Sequence, residues 1–294
     1  MLFPVLPFII KSYGQTEVIL GILMGTFSLF QFLAAPVLGS LSDSYGRKPV
    51  LILTQAGTLL SWVVLGIAYM LPNQELFGFV LLPILVVFLS RVFDGITGGN
   101  ASVAQAVLAD MSSPEDRSKV FGMNGAVFGF ALLVGPALGS FSVASGIGFL
   151  GTAILGACIS LITLGIMIFF LRESLHISQR KKELLISFKE INVFSQIMKW
   201  GAIPTVRYAI FMKVFMFMAF VGYTSVIALY LIDVFRFEAS QVGYYITFTG
   251  SFLIFHQVVS IRYFLKYFGD RKSLLIAFAL MGSGWIGMAS STSI

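Results

Sequence analysis

Charge-free hydrophobic blocks alternate along this chain with short polar turns, and the blocks are too long for a soluble core. Val18 to Leu41 and Val50 to Leu71 carry no charged residue, and neither does all of Val120 to Leu171. About 20 helical residues cross a bilayer, so the first two blocks read as single spans and the third must hold two. Met1 to Ile10 is also apolar, but a helix of that length rises only about 15 Å, roughly half of a hydrocarbon core. It lacks the basic leader and small-residue cleavage site of a signal peptide.

Polar turns set the other boundaries. Lys11 to Glu17 precedes span two, Val18 to Leu41, where Gly21 and Gly25 lie one turn apart and offer a flat face for close helix contact. Span three, Val50 to Leu71, ends at Pro72-Asn73-Gln74-Glu75, and span four runs from about Leu76 to Asp110, interrupted by Arg91 and Asp94. Ser113 is expected to N-cap span five, with Pro114, Glu115 and Asp116 in its first turn. That span breaks at Phe141 to Gly148, and span six follows to Phe170. Arg172 to Arg207 is the one long polar stretch. Within it Leu184, Phe188, Ile191 and Met198 recur at helical spacing and predict a short helix lying in the membrane interface. Span seven (Tyr208 to Ile232), span eight (Val242 to Ile261), an inner loop from Arg262 to Lys272 and a last run from Ser273 complete the chain.

Composition agrees: 57% of residues are hydrophobic and 11% charged, against about 25% charged in a soluble domain. The net charge of +6 does not call for nucleic acid, because its distribution is explained by topology. Alternating the spans gathers Arg47, Lys48, Arg117, Lys119, the basic residues from Arg172 to Arg207, and Arg262, Lys266, Arg271 and Lys272 on one side, leaving Lys11 and Arg236 on the other. That asymmetry marks the basic side as cytoplasmic. A lone cysteine, Cys158, excludes an internal disulfide, and two histidines, His176 and His256, give no metal cluster. No nucleophile–base set points to an enzyme, and no cofactor is expected.

Gly39-Ser40-Leu41-Ser42-Asp43-Ser44-Tyr45-Gly46-Arg47-Lys48-Pro49 is a charged hinge between spans two and three. Gly46 permits the positive φ of a tight reversal, and Pro49 suits the first turn of the next helix. Arg47 and Lys48 supply positive charge at a cytoplasmic helix end, and Asp43 sets a carboxylate beside the bilayer. This stretch resembles the major facilitator superfamily, whose loop between spans two and three reads Gly-x-Leu-x-Asp-x-x-Gly-Arg-Lys/Arg-Pro. The resemblance implies an all-α polytopic membrane protein, a helical bundle in two halves related by an axis along the membrane normal. Pro4 to Pro7 resembles the outer half of that family's first span. Counting this half and spans two to nine, the bundle is expected to be incomplete, with about 8–9 of 12 transmembrane helices. Residues 1–171 form the N-terminal half-bundle, 172–206 a cytoplasmic linker and 207–294 a partial C-terminal half-bundle. Phe268-Gly269-Asp270-Arg271-Lys272-Ser273-Leu274-Leu275-Ile276 echoes Tyr45 to Ile52 at the matching place in the second half. By the same resemblance Asp43 meets the N-terminus of span eleven, a contact that latches the outward-facing state; span eleven is not among the spans counted.

Arg91 and Asp94 share one face of an otherwise apolar span, where ionised groups are costly and therefore functional suspects. They read either as a self-satisfied ion pair that orients the helix or as a proton-exchanging Asp94 whose charged form Arg91 stabilises. Arg91-x-x-x-Gly95 is similar to the family's fourth-span motif, in which the arginine is implicated in proton coupling. In span five the pairs Gly125/Gly129 and Gly135/Gly139 line one face for close packing, and Pro136 removes a backbone hydrogen bond and bends the helix. This helix also resembles the fifth-span signature of proton-driven exporters, Gly-Pro-x-x-Gly-Gly, with Ser140 in place of the last glycine; that signature goes with antiport rather than uptake.

Lys213 either snorkels to the interface or contacts substrate, and the soft run Phe211, Met212, Phe215, Met216, Phe217 and Met218 suits either a varied apolar ligand or lipid. Gln31, Asn100, Gln105, Asn124, His256 and Gln257 either line a central cavity or bond a neighbouring helix. Within the superfamily, Arg91 to Gly139 resembles the drug:proton antiporters that include tetracycline efflux proteins, although span three carries no acidic residue where tetracycline carriers have one. The expectation is proton-coupled export of a small amphipathic compound by alternating access. Its partners are substrate, protons and the lipid bilayer, and the protein is expected as a monomer in a bacterial inner membrane. An uptake symporter for a sugar or metabolite and a non-functional truncated fragment are the alternatives.

Overall fold

The computed structural model describes residues 2, 5–76, 80–142, 147–181 and 193–290. In chain order the helices are α1 (Leu6–Ser12), α2 (Glu17–Tyr45), α3 (Arg47–Met70), α4 (Leu82–Gly98), α5 (Asn100–Asp110), α6 (Arg117–Ser142), α7 (Phe149–Phe169), α8 (Val193–Gly201), α9 (Pro204–Phe235), α10 (Ala239–Phe255) and α11 (Ile261–Ser290). Among the described residues, five segments are long and apolar enough to cross a membrane: Glu17–Tyr45, Arg47–Met70, Leu82–Asp110, Phe149–Phe169 and Pro204–Phe235. The apolar parts of α6 and α11, Val120–Ala131 and Lys272–Met288, are shorter. Large apolar side chains such as Leu53, Phe128, Leu161 and Phe215 face outward, as expected of helices solvated by lipid. The chain is an all-α, multi-pass integral membrane protein.

Two apolar clusters sit at opposite ends of the first half. One joins Val5, Leu6, Ile9 and Ile10 at α1 to Leu23 of α2, Leu65 of α3, Val87 of α4 and Ala153 of α7. The other joins Leu38 of α2, Val50 and Leu51 of α3, and Val103 and Val107 of α5. A third, Ile227, Ala228 and Leu231 of α9 with Val242 of α10, receives Phe8 of α1. Close helix approach follows the glycines at the end of α4: a Cβ on Gly95 would lie 2.6 Å from the Phe27 carbonyl oxygen of α2, and one on Gly99, between α4 and α5, would lie 2.9 Å from Ala35 N. α6 lies along α10. Gly129 and Gly139 are buried, while Val127, Phe128 and Phe130 are exposed, so the glycine face is the packed one. The helix runs unbroken through Pro136.

The structure corrects several sequence expectations. Span four starts at Leu82, not Leu76, because β1 (Glu75–Leu76) and β2 (Val80–Leu81) pair antiparallel ahead of it; a short apolar run reads equally as strand or helix. The flat face of Gly21 and Gly25 meets no other atom within 4 Å, because α2 packs through Leu20, Leu23 and Thr26 instead. The inner loop Arg262 to Lys272 is helical: α10 continues through a π-helical segment, His256–Ser260, into α11. The Phe264 and Phe268 rings lie one turn apart on this continuation, tilted to each other with 5.7 Å between centres. The chain is broken there only at Gly269, with φ 68° and ψ 174°. Gly46 has φ 107° and ψ 158°, so the two echoing segments share the same backbone feature. Met198 lies on α8, whereas Leu184, Phe188 and Ile191 fall outside the described residues.

Candidate functional site

Two polar clusters interrupt the apolar bundle. The first lies inside it, between α3 and α4. Arg91 Nη1 donates to Asp94 Oδ2 at 2.9 Å, and Nη2 donates to Ser90 Oγ at 3.1 Å. Ser90 Oγ donates to the Ser61 carbonyl of α3 at 2.9 Å, and Ser61 Oγ reaches Asp94 Oδ1 at 3.4 Å. Arg91 and Asp94 side chains are 7% and 19% exposed. Desolvating such a pair costs several kcal/mol per ion unless further hydrogen bonds satisfy it; Ser90 supplies one to Arg91, while the single Ser61 hydroxyl hydrogen has the Thr58 carbonyl at 2.8 Å as a closer acceptor than Asp94. One turn on, Thr58 and Thr97 hydroxyls lie 3.0 Å apart and tie the same helices. Arg91 Nε and, near the end of α3, the Tyr69 hydroxyl are among the buried atoms that keep no partner among the described residues.

The second cluster closes one end of the half-bundle. α3 begins at Arg47 after Gly46, a residue with no side chain to cap it. Glu173, beyond α7, provides the cap: its carboxylate accepts from the backbone N–H of Arg47 (2.8 Å), Lys48 (3.2 Å) and Leu175 (3.1 Å). Partial burial alone would raise its pKa, but these N–H donors and the Arg180 guanidinium hold it below the usual carboxylate range. A Cβ on Gly46 would run into the Glu173 carboxylate and lie 2.8 Å from Arg180 Nη2, so glycine is required there by space as well as by φ. Arg47 Nη1 donates to Asp43 Oδ1 at 2.6 Å and to Ser42 Oγ at 2.7 Å, and its Nε donates to Asp110 Oδ2 at 3.1 Å. Lys48 Nζ donates to the Ile168 carbonyl at 2.9 Å, near the end of α7.

Of the hinge residues singled out in the sequence, Asp43, Gly46, Arg47 and Lys48 meet here, with Gly39 one turn back on α2, where its carbonyl accepts from Ser42 Oγ at 2.8 Å. Asp43 has partners of its own: Arg47, and Lys181, whose Nζ lies 3.3 Å from Asp43 Oδ2 and whose N–H donates to the Asp43 carbonyl at 3.0 Å. Glu173 and Asp110 were missed by sequence reasoning. A signal existed for the former, since no acidic residue lies between Asp116 and Glu173.

The cavity candidates do not assemble with these clusters. Gln31 Nε2 donates to the Gly98 carbonyl at 3.0 Å, bonding α2 to α4. Asn100 begins α5, Asn124 is half-buried on α6, and Gln257 falls in the π-helical segment. Lys213 is exposed, its Nζ 5.9 Å from the Phe217 ring centre. An apolar cleft of about 240 Å³ opens elsewhere, between α2 and α4, lined by Ile19, Ile22, Leu23, Ile84, Leu85 and Phe88.

Comparison with known proteins places this geometry in a family. The Major Facilitator Superfamily profile matches residues 1–294. The class C tetracycline resistance protein of Escherichia coli is 29% identical over 301 residues, covering 99% of this chain and 70% of that protein. The class B protein of Escherichia coli is 33% identical over 177 residues, 59% of this chain and 40% of that protein. The crystal structure of the human organic anion transporter MFSD10 (TETRAN) superposes with a TM-score of 0.65 at 22% identity, over 86% of this chain and 60% of that one. The chain thus spans part of the length of each of these relatives. With helices crossing repeatedly, the inter-helix glycine contacts and a profile match from end to end, the chain belongs to the major facilitator superfamily.

Proposed function

We propose that this chain carries out proton-coupled export of a small amphipathic compound by alternating access, with residues 1–171 and 207–294 as the two moving half-bundles and 172–206 as their linker. The observation that carries this reading is the Arg91–Asp94 pair held by Ser61 and Ser90 inside an apolar span. An intramembrane carboxylate is costly to keep, and its exchange of a proton is a use that justifies the cost. Inward movement of a proton onto Asp94 would neutralise it and loosen its hold on Arg91, and α4 would then be free to shift against α3. The glycine face of α6 and the tetracycline resistance relatives favour export. The end bearing Arg47, Asp110 and Glu173 faces the cytoplasm by its excess of positive charge, in a bacterial inner membrane. The protein works as a monomer.

The test uses everted vesicles containing the protein, with a pH-sensitive dye reporting proton release on addition of amphipathic cations and tetracyclines. Wild type gives a substrate-dependent signal and Asp94→Asn none. A signal unchanged in Asp94→Asn would remove Asp94 from coupling.

A further inference from the structure

Tyr69 stands near the end of α3, and nothing in the reading above uses it. Its hydroxyl is buried without a partner among the described residues, as is Arg91 Nε. The two belong to one neighbourhood. Helical side chains tilt toward the helix N-terminus, and α3 and α4 run in opposite directions. Tyr69 therefore leans from the Lys11 end toward the bundle centre, and Arg91 leans from the centre toward that end. Tyr69 packs on the apolar cluster that contains Val87 of α4, one turn before Arg91. Tyr13 is half-buried, follows α1 at the Lys11 end, and packs on the same apolar cluster as Tyr69. The Tyr69 ring is held by stacking on Phe149, 6.2 Å between centres, so its hydroxyl is aimed rather than free to swing. A buried polar site with two unsatisfied groups is one where a water is retained.

We infer that Tyr69 is the entry residue through which protons from the Lys11 side reach Asp94. This rests on the proton-coupling reading of Asp94. A water held between the Tyr69 hydroxyl and Arg91 Nε–H bridges the remaining step. The proton moves from a hydronium at Tyr13 onto the Tyr69 oxygen while the Tyr69 O–H proton passes to that water, which hands one proton to an Asp94 carboxylate oxygen. The sum is hydronium plus carboxylate giving water plus carboxylic acid, with tyrosine and arginine unchanged.

The experiment follows the infrared carbonyl band of protonated Asp94 after an external acid pulse, with the full chain in right-side-out liposomes. The band is assigned by its loss in Asp94→Asn. Tyr69→Phe keeps the ring stack and removes only the unpartnered hydroxyl. It should slow growth of the band at least about tenfold, in keeping with loss of a relay group, without changing its final amplitude. Tyr69→His, which again carries a transferable proton, should recover part of the rate. An unchanged rate in Tyr69→Phe overturns the inference and leaves Asp94 in place. Absence of any band sensitive to Asp94→Asn overturns the coupling reading and the inference with it.

Discussion

Lys11 Nζ sits 2.7 Å from Asp233 Oδ1, joining the last turn of α1 to the last part of α9. The two residues lie 222 positions apart, and Phe8 packs on the α9 cluster beside them. α1 and α9 therefore meet at this end of the bundle. Side-chain exposures of 35% and 54% put the pair among surface ion pairs, worth about 0–1 kcal/mol. On the proposed alternating-access reading, such a contact would close one mouth without locking it. Charge reversal tests this: Lys11→Glu or Asp233→Lys alone should lower transport severalfold, and the two combined should restore it. A combined variant no better than either single one would assign closure to the apolar contacts.

Arg91 and Asp94 predict an asymmetry in stability. Arg91→Leu leaves a carboxylate buried without its partner and should destabilise the folded chain by about 3–5 kcal/mol. Arg91→Lys keeps the charge and should cost less, while losing the two-pronged hold on Asp94 and Ser90. Thermal unfolding in detergent, followed by circular dichroism of the helices, gives the ranking. Equal loss in both variants would mean the charge contributes nothing to stability.

Gly46→Ala should disrupt the α2–α3 turn in two ways at once. Its φ of 107° is strained for any L side chain by about 1–3 kcal/mol, and the new methyl displaces Glu173. Combining it with Glu173→Ala, which clears the space, should recover the steric part and leave the backbone part. Full additivity of the two changes would show that the predicted clash is absent.

Glu173 makes the same region sensitive to acid. Its folded-state pKa is depressed, so its stabilising contribution is complete above the ordinary carboxylate value. The contribution declines as pH falls through that value and is gone below the folded one. Protease cleavage between Arg172 and Lys181 should therefore accelerate only in the acid range, and Glu173→Gln should be cleaved readily at neutral pH as well. Cleavage of wild type that does not vary with pH would contradict this.

Much of the framework was legible because lipid demands it. The charge-free blocks gave α2, α3 and α7 to within a few residues, and the hinge pattern located the turn at Gly46. The start of α4 was hidden because apolar residues from Leu76 to Leu81 suit strand and helix alike. The cap on α3 was hidden for a different reason: its donor and acceptor are 126 positions apart, and spacing along a chain carries no record of such a meeting. Arg91 and Asp94 announced themselves by chemistry, whereas Tyr69 looked like any aromatic residue until its hydroxyl proved buried and without a partner among the described residues.

Lys48 hooks the end of α7 while Glu173, just past α7, hooks the start of α3. Each helix thus holds the other by its tip, as two links of a chain do. If the half-bundle tilts, the segment leaving α7 must travel with it, so tension on the connector is passed on from its first residues. Severing either hook would leave the helices in place and introduce slack between α3 and the segment that leaves α7.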